Sequence, residues 1–247
     1  MRSARCQANP VNSAREQIFS TTLNPWKNAY VQRDRERKTM AFASPVLIDI
    51  WSDYVCPFCY LELPAVIKLQ QNFGEGVTVR WHAFELRPEP APTLDPNGAY
   101  LHDIWARSVY PMAAERDMRL RLPPVQPRSR KAFEAVAYAR SVGQFDAMHA
   151  ALFRAFFEDG MDIGDTAVLL HIGDSLGLDR QRLQRALEED EYTREVLAEE
   201  EQARQLGISG VPLILVRRAA DSLGEASALR GAVSYSMLHA TVADLVA

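Results

Sequence analysis

Two cysteines, Cys56 and Cys59, stand where the apolar run Val46-Leu47-Ile48-Asp49-Ile50-Trp51 gives way to a stretch of helical periodicity, Tyr60 to Phe73. A C-x-x-C at a strand-to-helix junction narrows the choice of fold sharply, because that placement reads as a dithiol redox centre. If Cys56 opens the helix, its sulfur faces free N–H groups and the positive end of the helix dipole, which favour thiolate. Cys59 then falls one turn further along the same side, close enough to close a small disulfide.

The flanking pattern fits that reading. Val46–Trp51 is expected as a buried strand and Pro57–Phe73 as a helix kinked at Pro64. Val77–Phe84 is expected as a second strand, parallel to the first, after the turn Gly74-Glu75-Gly76. Arg87 to Pro96 is proline-rich and extended. From there to about residue 207 the periodicity is helical: Tyr100–Asp117, Arg130–Val142, Asp146–Phe157, Asp165–Leu176, and Arg180–Gln205 with a break near Asp190. Asp162, Asp165 and Asp179 mark helix starts, and Gly143 and Gly177 mark helix ends. Strand character returns at Val211–Val216, with a short partner at Ala228-Leu229-Arg230-Gly231, and Ser234–Val246 closes as an amphipathic helix.

Composition excludes several classes. With 247 residues, 47% hydrophobic and 24% charged, the chain is long enough for one large domain or a small one carrying an insertion. Residues 1–39 hold eight basic and three acidic side chains, so the net charge of −4 leaves an acidic main body, which gives no electrostatic reason to expect nucleic acid. No apolar run approaches membrane-spanning length, and residues 1–43, lacking a secretory apolar core, are read as a disordered or non-native extension. Cys6 is a bystander on this reading. A cytoplasmic location follows as an expectation. A zinc site would need further ligands near the pair, but His82, His102, His149, His171 and His239 are dispersed, so no metal is expected.

The second landmark is Gly207-Ile208-Ser209-Gly210-Val211-Pro212, where a glycine before Val-Pro and the apolar Leu-Ile-Leu-Val after it suit a tight bend with a cis bond. Here the chain resembles the thioredoxin superfamily, whose cis-proline loop faces the C-x-x-C helix start. Cys56 and Pro212 are 156 residues apart. A long helical insertion between the second and third strands is the DsbA arrangement. Trp51-Ser52-Asp53-Tyr54-Val55-Cys56-Pro57-Phe58-Cys59-Tyr60, Trp81-His82-Ala83-Phe84-Glu85-Leu86-Arg87-Pro88 and Leu152-Phe153-Arg154-Ala155-Phe156-Phe157 resemble segments of FrnE-type members of that family, in the family's order. Phe58 departs from them, standing where they usually carry Trp.

The resemblance implies an α/β thioredoxin fold built from residues 44–86 and 208–247, with an all-helical domain inserted at 87–207. It implies thiol–disulfide exchange with Cys56 as nucleophile and Cys59 as resolving thiol. Pro57 and Phe58 would form an apolar substrate rim, and Pro212 would leave the Val211 backbone free to pair with a substrate strand. No bound cofactor is implied beyond the redox-active disulfide. The partner would be a thiol or disulfide, protein or small molecule, with glutathione a candidate electron partner and a homodimer compatible. The alternative is a glutathione-dependent isomerase or transferase of the hydroxychromene-carboxylate isomerase or kappa-class type. Those relatives generally have Ser for the first Cys and lack the second. Asp53 is weighed as a proton acceptor for Cys56 against a polar loop residue, and His82 and Glu85 are read as ordinary strand residues. Trp105, Tyr110 and Met112 are read as core, and the runs Glu188–Glu191 and Glu199–Glu201 as solvated helix faces.

Overall fold

The computed structural model describes residues 46–246, so the expected extension at 1–43, with Cys6, lies outside the described residues. β1 (Val46–Ser52) is buried along its whole length. It can be, because it is one of the two inner strands of a sheet ordered β2-β1-β3-β4 among the described residues, where β2 is Val77–Ala83, β3 Leu213–Arg218 and β4 Ser227–Arg230. β1 runs parallel to β2, with Val46 opposite Val77 and Ser52 opposite Ala83, and antiparallel to β3, with Ile50 opposite Ile214. A strand covered on both faces has no solvent side, which is why its sequence is a continuous apolar run rather than an alternation.

α1 (Pro57–Phe73) connects β1 to β2. Pro57 occupies the first helical position, where a missing N–H costs nothing, and the helix continues through Pro64 to Gly74, whose φ of 54° ends it. Its buried side includes Cys59, Leu63, Val66 and Ile67. β3 begins two residues later than expected because Pro212 cannot donate to a ladder. Pairing starts at Leu213, opposite Trp51 on one side and Arg230 on the other.

Between β2 and β3 the chain is helical. α2 (Ala99–Ile104) and α3 (Tyr110–Glu115) are one rod joined by a π-helical turn at Trp105–Val109. Pro111 explains that turn: it offers no N–H to the preceding turn, and its ring would crowd the carbonyl four residues back. The ladder widens there, and the Tyr110 N–H reaches back to the Trp105 carbonyl. α4 (Arg130–Ser141), α5 (Phe145–Phe157), α6 (Thr166–Ser175), α7 (Arg180–Glu188) and α8 (Thr193–Gln205) follow, and α9 (Tyr235–Val246) ends the described chain. Asp165 and Asp179 cap α6 and α7 through bonds from Ala167 N and Arg182 N. The expected break near Asp190 falls at a residue with φ of 53°.

The expectation for α8 is corrected. The Glu199–Glu201 run is not a solvated face of α8: Glu200 is buried, and Glu199 is largely covered. Glu199 accepts from the Ala83 N–H at 2.6 Å and from Arg140, while Glu200 pairs with Arg130. Trp51 adds a bond from Nε1 to the Glu199 carbonyl at 3.3 Å and stacks on His82, itself 3.0 Å from Asp49. His82, 3.6 Å from Glu199, links α8 to a charged row on the sheet, because Asp49 pairs with both His82 and Arg217.

Candidate active site

The end of β1 and the start of α1 place the two cysteines. A turn closed by Cys56 N–H to Asp53 O at 3.1 Å brings Cys56 to the N-cap of α1 in an extended conformation, and Cys59 lies one turn further in. Both are free thiols. Cys56 is 4% exposed and Cys59 is wholly buried. The Cys56 thiol makes no capping bond to the helix. It donates instead to the Val211 carbonyl at 3.6 Å, across the chain from the turn that carries the Val211–Pro212 cis peptide. Pro57 and Phe58 are half-buried beside it, as is Val211, whereas Pro212 is buried. The structure therefore brings Cys56, Cys59, Pro57, Phe58, Val211 and Pro212 to one place.

Cys59 is held differently. Its sulfur accepts the Asp53 N–H at 3.5 Å and lies within hydrogen-bonding reach of the Cys56 and Ser52 side chains. Burial, reinforced by the neighbouring Cys56 sulfur, pushes its thiol well above the usual range, so it stays protonated at neutral pH.

Asp53 is the anchor of this turn. Its carboxyl is wholly buried and accepts from Val55 N at 3.2 Å, from Leu86 N at 2.7 Å and from the Ser129 side chain. Those bonds tie the segment before Cys56 to the end of β2 and the start of α4. Burial outweighs them and lifts its pKa to about 6. Glu85, also buried, is bound by Arg130 at 2.7 Å and rises to about 7, chiefly from burial. Glu85 and Glu200 thus share the Arg130 guanidinium, and Asp53 lies close enough for its charge to act on Glu85.

An aromatic wall supports both sides of the motif. Tyr54 packs on Phe133 and Phe153, and Tyr60 stacks on Phe153 and Phe157 and donates its hydroxyl to Glu158. Trp105 reaches Phe157 and is buried, whereas Tyr110, edge-on to Trp105, is exposed and so is not the core residue expected. The Tyr54 hydroxyl meets His149 Nδ1 at 2.7 Å. Burial raises the Tyr54 pKa and drives His149 down to about 3, so Tyr54 is the donor, and the neutral imidazole carries its proton on Nε2.

Sequence reasoning passed over Glu62, although a lone carboxyl amid Tyr60-Leu61-Glu62-Leu63 on an apolar helix face was a signal. It is wholly buried, accepts from Val233 N at 2.8 Å, and burial lifts it to about 8 despite Arg116 nearby. The folded pKa lies above the ordinary 4.5. Between those two values the folded chain therefore keeps a proton that the unfolded chain has released, and stability falls as pH rises through that window. Glu62→Gln keeps an acceptor for Val233 without a proton to lose. Relative to wild type it should gain stability from about pH 4 to pH 8.5 in urea unfolding, whereas a pH-independent difference would show that Glu62 does not titrate in this window.

Among the described residues no helix is long and apolar enough to cross a membrane, and no three of His, Cys, Asp and Glu are grouped to hold a metal ion. Comparison with known proteins places this geometry. The sequence profile of the DSBA-like thioredoxin domain matches residues 47–243. An uncharacterised protein of Bacillus subtilis, YwbO, is 35% identical over 150 residues, covering 60% of this chain and 74% of its own. A probable DsbA oxidoreductase from Streptomyces coelicolor superposes with a TM-score of 0.67 at 23% identity, over 81% of this chain and 89% of that one. A 2-hydroxychromene-2-carboxylate isomerase gives 0.65 at 20% identity, over 81% and 95%. The cytosolic disulfide reductase DsbM from Pseudomonas aeruginosa, solved with GSH, gives 0.58 at 19% identity, over 81% and 95%. At those identities the solved structures share the fold.

Proposed function

The chain belongs to the DSBA-like thioredoxin domain family, and from that premise we propose that it is a thiol–disulfide oxidoreductase working through Cys56-Pro57-Phe58-Cys59. The observation that carries the proposal is the asymmetry of the pair: one sulfur at the mouth of the helix against the Val211 carbonyl, the other one turn deeper and sealed. Exchange needs that arrangement. The Cys56 thiolate attacks a substrate disulfide, forms a mixed disulfide and expels one substrate thiolate, which takes up a proton. Cys59, losing its proton, attacks the Cys56 sulfur, closes the internal disulfide and expels the second substrate thiol. The substrate gains two electrons and two protons, and the Cys56–Cys59 pair loses them. Run backwards, the same steps oxidise a dithiol.

Pro57 and Phe58 offer the approaching sulfur an apolar rim, and the Val211 backbone lies where an extended peptide would pair. Glutathione is the proposed small-molecule electron partner and the cytoplasm the proposed compartment, in keeping with the GSH-bound cytosolic DsbM that shares the fold. The isomerase that also shares the fold stands for the competing reading. Retention of both free cysteines favours redox chemistry over it. Titration against glutathione redox buffers should show one reversible two-electron transition, a tenfold change in the equilibrium ratio per about 30 mV, followed by thiol alkylation and mass. A pair that never closes at any buffer ratio, with conversion of a chromene carboxylate in the presence of glutathione, would replace this reading with the isomerase.

A further inference from the structure

The loop between β4 and α9 sits beside the proposed site and is held there by two polar side chains that the exchange chemistry leaves unused. Gly231 N–H donates to the Pro212 carbonyl at 2.9 Å, one residue from the carbonyl that receives the Cys56 thiol. Two residues on, Val233 is gripped at both ends. Its N–H donates to Glu62 Oε2 at 2.8 Å, and its carbonyl accepts from Arg116 Nη2 at 2.9 Å. Glu62 lies on α1 one turn past Cys59, and Arg116 directly follows α3 in the helical insertion. Redox helix, insertion and C-terminal loop thus meet on one residue, while Gly231, Ala232 and Val233 remain half-buried with a side to solvent.

The grip is polar where an apolar one would pack as well. Glu62 Oε1 and Arg116 Nη1 are buried without a hydrogen-bond partner among the described residues. Buried polar atoms left unsatisfied weaken a fold, and apolar residues of similar volume commonly replace buried polar groups without loss. Stability alone therefore does not account for the pair; the fixed position of the Val233 backbone does.

We infer that Glu62 and Arg116, by occupying both backbone groups of Val233, are positioning residues that hold the Ala232 backbone as one wall of the seat in which a disulfide-bearing peptide lies during exchange, the Val211 backbone forming the other. This rests on the thiol–disulfide reading above. An extended peptide beside Cys56 needs backbone partners at fixed places on both flanks, and a loop free to swing would offer them on one.

The probe is a synthetic ten-residue peptide closed by one disulfide. In Glu62→Leu and Arg116→Leu its KM should rise about tenfold, the worth of roughly one hydrogen bond, with kcat within about twofold. Glu62→Gln, which restores an acceptor for Val233, should bring KM back, and the glutathione equilibrium of the cysteine pair should not move. An unchanged KM in both leucine variants overturns the inference. So does a joint change in KM, kcat and the glutathione equilibrium, or a glutamine variant that behaves as the leucine one. Should Glu62→Leu fail to fold, Arg116→Leu at its half-exposed site carries the same reading. A wild-type protein that exchanges no disulfide at all sinks the functional reading instead. The grip is then read by hydrogen exchange, the Val233 amide being at least about tenfold faster in Arg116→Leu and Glu62→Leu than in Glu62→Gln. Equal rates there overturn it.

Discussion

Cys56→Ser is expected to abolish disulfide exchange, lowering turnover of a peptide or insulin disulfide by roughly a thousandfold or more, in line with removal of other catalytic nucleophiles. A serine hydroxyl at the α1 N-cap keeps the geometry but offers no thiolate, and the thiolate is the attacking species. Cys59→Ser should behave differently. The first attack survives, the mixed disulfide on Cys56 has nothing beside it to resolve it, and a covalent adduct accumulates to about one per chain, visible in the intact mass. The contrast is expected from burial: Cys56 keeps 4% of its surface exposed and Cys59 none, so a substrate disulfide should meet the first cysteine and not the second. Because burial holds the Cys59 thiol far above neutrality, its thiolate fraction is small and grows tenfold per pH unit. In wild type, decay of the mixed disulfide should accelerate about tenfold per unit through the neutral range. Two cysteines of interchangeable effect, or an adduct that forms on Cys59, would contradict the assigned order of attack.

How far this was legible beforehand depends on the reach of each determinant. The helix opening at Cys56-Pro57 is local: a proline suited to the first turn and an extended residue before it. The same holds for the caps at Asp165 and Asp179, which depend on side chains two or three residues from the N–H groups they serve. Pro212 was legible as a landmark, and its separation from the cysteines told how much helix had to lie between. What escaped was long-range. Glu200 looks like any exposed glutamate until Arg130 and Glu85 are brought to it from distant segments, and Glu62 until Val233 is. Helical periodicity ranks faces by hydrophobicity, so it misassigns a face whose burial is achieved by ion pairs. The π turn at Trp105–Val109 escaped for another reason: Pro111 announces a disturbed ladder, but a kink, a break and a widened turn are all open to it.

That division locates the chemistry. The short-range signals set two sulfurs one turn apart, and the long-range polar contacts decide how rigidly their surroundings stand. Asp53 bonds to the end of β2 and the start of α4, and Glu62 bonds to the loop before α9. The turn before Cys56 and the loop beside Pro212 are therefore fastened to separate parts of the fold, and substitutions at one should leave the other in place.

Phe153→Ala is expected to be the most damaging single change behind the site, costing about 3–5 kcal/mol, the range for emptying a fully buried aromatic position. Phe153 is wholly buried, with ring centroids 4.9 Å from Tyr54 and 5.3 Å from Tyr60, so one side chain backs the residues preceding Cys56 and following Cys59. It also packs edge-on to His149 at 5.1 Å, against the imidazole that receives the Tyr54 hydroxyl. The cavity left by alanine cannot close by a shift of α5 alone, because Leu152 and Phe156 on the same helix are themselves fully buried in other contacts. For a chain of this size the loss corresponds to a fall in Tm of roughly 10 °C, and Phe153→Leu, which retains most of the volume, should lose less than half as much. Phe145→Ala, a ring only half-buried on the same helix, is the control and should cost under about 1.5 kcal/mol. Urea unfolding followed by far-UV dichroism separates the cases, with an unchanged slope showing that the loss is one of stability. Equal midpoints for Phe153→Ala and Phe145→Ala would mean that the wall behind the cysteines is not held by Phe153.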